Sequence, residues 1–276
     1  MQNDLSNRAA AFRKLHDGPV PLLIANPWDA GSARIFATLG FRALATSSGA
    51  SAAVLGRKDG ELSREAALAH AASIVAATEL PVSADLENGF GPRPEDANET
   101  IRRAAEIGLC GGSIEDFSGN DRTGLFDFTL AVERVSAVAE AVRSLPFPFT
   151  FTARTEGYLR GRPSLDETIK RLSAFERAGA DVLFAPGLPD LDAVRTVCNA
   201  VKKPINFMVG LRGKSFSVAE LQAVGVRRIS FGGSLYRAAV GGLISAAKEI
   251  QNQGTFGFLE TAPSTPDLYR LLAPPK

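Results

Sequence analysis

The feature that most constrains the fold of this chain is the strict alternation of short apolar segments with longer helical ones. Eight segments have the length and mixed apolar character of parallel strands buried on both faces: 20–25, 43–47, 81–87, 112–115, 149–154, 181–185, 205–209 and 228–231. Each is followed by a segment with helical patterning: 29–39, 63–78, 94–107, 128–143, 164–178, 189–200, 218–223 and 234–252. Strict alternation indicates a parallel sheet. Eight such units in one chain of 276 residues predict an α/β fold, a closed (β/α)8 TIM-type barrel.

An open, doubly wound sheet is the alternative architecture for the same alternation. Its dinucleotide-binding form carries a Gly-x-Gly-x-x-Gly motif after the first strand, and this chain has none there. We therefore predict a single barrel domain over 1–276, with an extra N-terminal helix at 1–18, the barrel at 20–252 and a C-terminal helical tail at 254–276. The apolar tail is expected to pack either on its own barrel or on a neighbouring subunit.

Composition argues against several classes of partner. Lys plus Arg number 31 and Asp plus Glu number 30, so no broad field attracts nucleic acid or an anionic membrane. No apolar run approaches the roughly 20 residues of a membrane span, and the first residues form no apolar signal segment. The two cysteines, Cys110 and Cys198, form no metal-binding or disulfide pattern. We expect a cytoplasmic protein with neither nucleic-acid nor membrane partners.

Acidic side chains follow two neighbouring strands at the end where a barrel of this type has its active site. Asp85 and Glu87 are two residues apart and share one face of the third strand, and Glu115 ends the fourth. Three carboxylates repel one another unless a cation or proton is shared. Oxygen-only donors suit Mg²⁺, with Mn²⁺ as a substitute, and Arg154 would then face the anionic part of a substrate. The competing interpretation is a metal-free network of salt bridges with Arg154.

Two turns of small residues lie at the same end of the strands. Residues 47–49 read Ser-Ser-Gly and favour an anion cradle of backbone N–H groups, or a turn that binds nothing. Residues 232–234 read Gly-Gly-Ser and favour a phosphate site at the last helix, or close packing of strand on helix. Asn206, in the seventh strand, is a further substrate-binding candidate. His16 and His70 fall in helices far from this end, which argues against a catalytic triad and a His-ligated zinc.

Four motifs together resemble the isocitrate lyase / phosphoenolpyruvate mutase superfamily. They are Asn-Pro-Trp-Asp-Ala-Gly-Ser-Ala-Arg at 26–34, Thr-Ser-Ser-Gly at 46–49, Ala-Asp-Leu-Glu-Asn-Gly-Phe-Gly at 84–91 and Gly-Ser-Ile-Glu-Asp at 112–116. They occur in the family's order and spacing, and the resemblance runs over 21–242, nearly the whole barrel. It implies a Mg²⁺-dependent enzyme that makes or breaks a C–C or P–C bond next to an α-oxo acid, through an enolpyruvate-like species.

The resemblance also implies roles for individual residues at the barrel mouth. Those that resemble substrate-binding or pocket-lining residues are Trp28, Asp29, Ser47, Gly49, Ala50, Asp85 and Arg154. Those that resemble the metal set are Asp85, as the direct ligand, and Glu87 and Glu115, as further acids; Glu87 stands where the family often has Asp. The catalytic candidates are Arg154, Glu115 and Asp59, of which Asp59 resembles the outer acid of the network around the metal.

One departure from the family bears on the reaction. The lyases carry a Lys-Lys-Cys-Gly-His motif after the fourth strand, whereas residues 117–125 read Phe-Ser-Gly-Asn-Asp-Arg-Thr-Gly-Leu, without Cys, His or Lys. This argues against isocitrate and methylisocitrate lyase activity. The P–C branch places a lysine there, for which Asn120 or Arg122 would have to substitute.

Three hypotheses about function follow. The first is a lyase or decarboxylase acting on an oxaloacetate-like α-oxo acid. The second is a phosphonopyruvate-type P–C mutase or hydrolase, and the third is a catalytically silent α-oxo-acid-binding protein. The family tends to exchange the last barrel helix between subunits, so the resemblance implies a homodimer or homotetramer.

Overall fold

An eight-stranded parallel sheet forms the centre of the computed structural model, which describes residues 2–273. The strands are β1 (Leu22–Ile24), β2 (Leu44–Ala45), β3 (Val82–Asp85), β4 (Gly111–Glu115), β5 (Thr150–Arg154), β6 (Val182–Phe184), β7 (Ile205–Met208) and β8 (Arg228–Ser230). Their order in the sheet is β1-β8-β7-β6-β5-β4-β3-β2. A parallel bridge between Ala25 and Leu44 joins the two remaining edges, with Ala45 N donating to Ala25 O at 2.9 Å. The predicted (β/α)8 barrel is therefore confirmed.

Helices follow the strands in the expected alternation. They are α1 (Gln2–Lys14), α2 (Ala30–Thr38), α3 (Ser48–Val54), α4 (Arg64–Val75), α5 (Pro94–Glu106), α6 (Phe128–Arg143), α7 (Leu165–Ala178), α8 (Leu191–Ala200), α9 (Val218–Ala223), α10 (Ser234–Gln253) and α11 (Thr265–Leu272). Sequence patterning did not indicate α3, which follows β2 where a turn was expected. Within residues 2–273, no helix is both long enough and apolar enough to cross a membrane.

The two faces of the barrel strands differ in character. Outward-facing residues such as Ile114, Phe151 and Ile229 are buried in the main apolar core, between the strands and the surrounding helices. Side chains alternate along a strand, so the intervening residues face the barrel interior. On β4, β5, β7 and β8 these inward residues include Ser113, Thr152, Asn206, Arg228 and Ser230. The barrel interior therefore carries polar side chains on these strands, beside apolar ones such as Phe184 and Met208.

Helix α1 packs against the amino-terminal ends of the strands. Its Ala9 and Phe12 form a second apolar cluster with Leu22, Ile24 and Ala43, which come from β1 and from just before β2. His16 follows α1 and is buried at this end. The N-terminal helix therefore covers the end of the barrel opposite to the predicted site.

The C-terminal segments leave the barrel and then return to it. No residue of α10 is buried, and Leu243 and Ile244 are 68% and 48% exposed. Helix α11 packs on α2, where Thr38 Oγ1 donates to Leu271 O at 3.0 Å. Within the protomer, α11 of the tail therefore packs on its own barrel, while packing on a neighbouring subunit stays a prediction. The outer limits predicted for the domain, Met1 and Lys276, lie outside the described residues.

Candidate active site

Two adjoining cavities open at the carboxyl-terminal ends of the strands. One of about 410 Å³ enters the barrel itself. The other, of about 770 Å³, lies between the loops that follow β2, β3 and β4. Ser48, Asp59 and Arg154 line both. The candidate residues from four strand ends therefore belong to one continuous region.

Asp85, the last residue of β3, stands between the two cavities. Its Oδ2 accepts hydrogen bonds from Ser48 Oγ at 3.1 Å and from Ser48 N at 3.4 Å, and lies 3.5 Å from Arg154 Nη1. Its Oδ1 accepts from Glu87 N at 3.2 Å, and its own N–H donates to Thr46 Oγ1 at 3.1 Å. The ends of β2, β3 and β5 thus fix the orientation of this carboxylate.

Arg154, the last residue of β5, is surrounded by carboxylates. Its Nε lies 2.6 Å from Glu156 Oε1 and 3.4 Å from Glu115 Oε2, and its Cζ lies 4.9 Å from the centre of the Phe184 ring. Burial alone would lower the pKa of Arg154, but Glu156, Glu115 and Asp85 outweigh it and raise that pKa. The guanidinium is therefore a permanent cation at the centre of the site.

The site holds more acid than its arginines neutralise. Burial, and then the charges of Asp85 and Asp59, raise the pKa of Glu87 to about 7. Burial followed by the charge of Asp85 raises the pKa of Asp59. Burial raises the pKa of Glu115 well above its usual range even though Arg154 opposes the shift. Such an excess of buried negative charge is what a bound cation would relieve.

The loop that carries Glu87 is held in an unusual conformation. Glu87 and Phe90 have φ values of 50° and 60°, in the left-handed region that side chains other than glycine seldom adopt. Arg134 of α6, which is fully buried, donates to the backbone carbonyls of Asn88 and Gly91, the latter at 2.9 Å. Since the surrounding structure imposes this backbone, the position of the Glu87 carboxylate is set by tertiary contacts.

The donor set fits a hard cation bound largely through water. Within residues 2–273, no three His, Cys, Asp or Glu side chains converge closely enough to hold a metal directly. The metal set of Asp85, Glu87 and Glu115 stays a prediction. Mg²⁺ usually keeps several waters and takes one or two carboxylates. The all-oxygen set and its raised pKa values fit such a cation, which Asp85, Glu87 and Glu115 would hold.

The expected anion cradle is part of a helix rather than a free turn. Ser47 precedes α3, and Ser47, Gly49 and Ala50 all line the barrel cavity. Gly49 faces Asp59, because a Cβ at Gly49 would lie 3.4 Å from Asp59 Oδ2. Asn206 also lines this cavity, and its Nδ2 donates to Ser230 Oγ at 3.0 Å. These residues surround the space beside Asp85, while their role in substrate binding stays a prediction.

Two pocket-lining candidates lie behind the cavity wall. Trp28 lines neither cavity and instead packs on Phe36 and Tyr236, with ring centroids 6.0 Å and 5.6 Å apart. Tyr236, unlike Trp28, reaches the barrel cavity, together with Phe184 and Phe231. Asp29 caps α2, where its Oδ1 accepts from Ser32 N at 2.7 Å. Trp28 and Asp29 therefore support the cavity wall from behind, whereas Asn26 of the same motif lines the cavity itself.

The loop after β4 does not bring its expected substitutes to the site. Neither Asn120 nor Arg122 lines the two cavities, because Asn120 Oδ1 turns back to accept from Arg122 N at 2.9 Å. A cation that contacts this loop and lines the larger cavity is Arg160, whose Cζ lies 3.5 Å from the centre of the Phe117 ring. Its Nε lies 3.2 Å from Glu156 Oε2.

Sequence reasoning missed Glu156, Arg160 and Arg228, all of which belong to the site or its support. Glu156 follows Arg154 by two residues, and this Arg-Thr-Glu spacing could have indicated an ion pair. Arg228 carries a charge into an otherwise apolar strand segment, which was also a visible signal. Arg160 lies in a loop and had no such signal.

Comparison with known proteins gives concordant results. The sequence model of the family described as phosphoenolpyruvate phosphomutase matches residues 12–251. A solved structure from Burkholderia cenocepacia J2315, provisionally described as a lyase/mutase, is 50% identical, with a TM-score of 0.97 over 99% of this chain and 98% of that one. The 2-methylisocitrate lyase of Shewanella oneidensis is 30% identical over 95% of this chain and 91% of its own length. The structure of 2,3-dimethylmalate lyase is 27% identical, with a TM-score of 0.85 over 96% of this chain and 95% of that one.

Proposed function

Because this chain belongs to the phosphoenolpyruvate phosphomutase family, within the isocitrate lyase / phosphoenolpyruvate mutase superfamily, we propose that it is a Mg²⁺-dependent carbon–carbon lyase for a small α-oxo acid. The simplest reaction is decarboxylation or C–C cleavage of an oxaloacetate-like substrate. The observation that carries the proposal is the contact of Asp85 with Ser48 and Arg154 beside an excess of buried carboxylates. Mn²⁺ is expected to substitute for Mg²⁺.

The chain's own residues supply binding and charge stabilisation. The substrate carboxylate would lie against Ser47, Gly49 and Ala50 at the start of α3. Arg154, oriented by Glu156, would donate to the anionic atoms of the substrate. When bound by Asp85, with Glu87, Glu115 and Asp59 around it, Mg²⁺ would polarise the oxo group and stabilise the negative charge that develops there.

Two observations support a C–C bond as the one that is broken: the composition of the loop after β4 and the reactions named for two relatives. Loss of CO₂ from a β-carboxylate leaves its electron pair on the enolate of the α-oxo acid, and this requires no strong base. That suits residues 117–125, which contain no Cys, His or Lys. The relatives named 2-methylisocitrate lyase and 2,3-dimethylmalate lyase support cleavage of a C–C bond over a P–C bond.

The test is turnover of a substrate panel followed by NMR, with Mg²⁺ and with a chelator. The panel contains oxaloacetate, phosphonopyruvate, 2-methylisocitrate and pyruvate, and each acid is also incubated with Mg²⁺ alone to subtract uncatalysed decay. We expect chelator-sensitive conversion of oxaloacetate, reduced at least about 100-fold in Asp85→Asn, the scale on which charge-stabilising groups act. Asp127→Asn is the matched control, because Asp127 caps α6 away from Asp85.

Each other result would replace the proposal. Conversion of phosphonopyruvate alone would establish the P–C reaction. Binding of an α-oxo acid without any product would establish a silent binding protein. Turnover that persists in Asp85→Asn would remove Asp85 from the site.

A further inference from the structure

The floor of the barrel cavity holds a buried arginine without a counter-charge. Arg228, the first residue of β8, is 5% exposed and lines this cavity. Its Nη1 donates to Thr152 Oγ1 at 3.2 Å, so the side chain crosses the barrel interior from β8 to β5. Its Nε is buried without a partner, and in the described part of the chain Arg228 forms no ion pair.

The groups around Arg228 are polar but neutral. Asn206, its neighbour on β7 in the sheet register, donates from Nδ2 to Ser230 Oγ, and its Oδ1, an acceptor, is buried without a partner. His16 approaches from below, where burial and then the charge of Arg228 lower its pKa to about 4, so the imidazole is neutral. The space around Arg228 at the floor of the barrel cavity, here called the chamber, therefore contains one positive charge and several polar atoms without a hydrogen-bond partner.

A buried guanidinium in such surroundings needs an anion. Burial lowers the pKa of Arg228 to about 10, which leaves it protonated at neutral pH. An isolated charge taken out of water is costly unless an opposite charge accompanies it. The chamber opens upward into the cavity that also contains Asp85 and Arg154. A ligand entering from the mouth can supply the missing negative charge.

We propose that Arg228, with the hydroxyl group of Thr152, forms a second anion-binding subsite that receives the distal carboxylate of the substrate. This inference rests on the proposed function, because it takes the α-oxo-acid end to lie at Asp85. It narrows the substrate class to short acids with two carboxylates. Thr152 precedes Arg154 by two residues on the same face of β5, about 7 Å along the strand, and a short diacid spans that distance.

A carboxylate suits this subsite better than a phosphonate. The subsite offers a single cation and otherwise neutral dipoles, which match one negative charge. A planar carboxylate also pairs with a guanidinium through two parallel hydrogen bonds. Nε of Arg228 is covered by its neighbours, so a carboxylate that enters from the mouth would meet the two terminal nitrogens, of which Nη1 also donates to Thr152 Oγ1.

The alternative is that Arg228 is only an internal strut, meaning a residue that stabilises the barrel by connecting β8 to β5. The two roles predict opposite effects on stability. A strut that is removed lowers the melting temperature of the ligand-free protein. A buried cation that awaits its anion opposes folding, so Arg228→Met should leave the melting temperature unchanged or raise it. Arg227→Met is the matched control, because Arg227 is the adjacent arginine and its side chain is exposed.

The binding test compares two acids that differ by one carboxylate. Racemic malate is racemic lactate with a carboxylate on its methyl carbon, and each is titrated by calorimetry into the full-length protein with Mg²⁺. We expect wild type and Arg227→Met to prefer malate. Arg228→Met should lower the affinity for malate by about 10- to 100-fold, as expected for one charged hydrogen-bonding partner, and leave that for lactate unchanged. Arg228→Lys should restore part of the affinity for malate, because lysine keeps the positive charge but not the two parallel N–H donors of the guanidinium.

Several outcomes would overturn the proposal. Equal loss of malate and lactate binding together with a lower melting temperature would make Arg228 a strut. Unchanged malate affinity in Arg228→Met would remove the subsite, and a stronger Arg228 dependence for phosphonopyruvate than for malate would make the ligand a phosphonate. If neither acid binds to wild type, a carboxylate subsite at Arg228 is contradicted as well. The proposed function can fail independently of the subsite. If the Arg228-dependent preference for malate persists in Asp85→Asn, the subsite is supported and the metal does not bind at Asp85.

Discussion

At the scale of single residues, the site is an alternating arrangement of arginines and carboxylates. Asp85, Glu115 and Arg154 could be predicted from sequence because each ends a strand, and strand ends meet at the barrel mouth. Glu156 could not be predicted in the same way. Its backbone N–H donates to Asp116 Oδ1 at 2.9 Å, which folds the loop back and buries the side chain between two arginines.

Glu156 offers a direct test of how the site is held together. It is fully buried, 2.6 Å from Arg154 Nε and 3.2 Å from Arg160 Nε. Glu156→Gln removes the negative charge and should lower the free energy of unfolding by about 2–4 kcal/mol, because both cations lose a buried partner. Urea denaturation measures the change. The control is Glu167→Gln: Glu167 is half-exposed, and Arg171 keeps its buried partner Asp116, so the loss should be less than about 1 kcal/mol. Equal losses in the two variants would contradict the argument.

At the scale of elements, sequence patterning located the eight strands but placed most of their ends one or two residues too far out. The segment 20–25 contains β1, whose ladder pairs only Leu22–Ile24 with β8. Helix α3 escaped prediction because its sequence, Ser-Gly-Ala-Ser-Ala-Ala-Val, has no long apolar side chains to mark a helical face, and Ser47 forms no side-chain cap. The hydrogen bonds of Ser48 to Asp85, at the end of β3, position this helix. The sequence of 48–54 alone cannot predict such long-range contacts.

His16, which follows α1 at the amino-terminal end of the barrel, makes a pH-dependent contribution to stability. Burial with the charge of Arg228 lowers its pKa from 6.5 to about 4 in the folded protein. Between pH 6.5 and 4 the unfolded chain therefore binds a proton that the folded chain does not, so stability falls as the pH falls through this window.

We expect His16→Asn to remove this dependence. Its amide can still donate to Phe12 O, the partner of His16 Nδ1. A lowering of this size corresponds to at most about 3 kcal/mol at 1.36 kcal/mol per pKa unit. Urea denaturation at pH 7 and pH 5 compares the two proteins. The same loss of stability on acidification in both would show that His16 is not its source.

At the scale of the whole molecule, counting alternating segments was sufficient to predict a closed barrel, since few architectures accept eight such units. The path of the chain after β8 could not be predicted in this way. Patterning locates α10 but does not indicate what its apolar residues pack against, and in the protomer none of them is buried. The family resemblance implies that this helix is exchanged between subunits. The apolar face of α10 would then pack on the barrel of a second copy.

We therefore expect this 29.2-kDa chain to form dimers or tetramers in solution, which light scattering after size-exclusion chromatography would show as two or four times that mass. Leu243→Asp places a charge on the exposed apolar face of α10 and should shift the mass toward the monomer. Val20→Asp is the control, because Val20 is 59% exposed at the opposite end of the barrel. A wild-type mass equal to one chain would contradict the expectation.

The division between the two faces of the strands has an evolutionary consequence. Folding depends on outward residues such as Phe151 and Ile229, whose apolar contacts cannot change without loss of stability. Inward residues such as Ser113 and Ser230 bury little apolar surface, so replacing them sacrifices little of the core. Descendants of such a chain can exchange one inward side chain for another while the barrel persists, and new specificities then arise by single substitutions inside an unchanged scaffold.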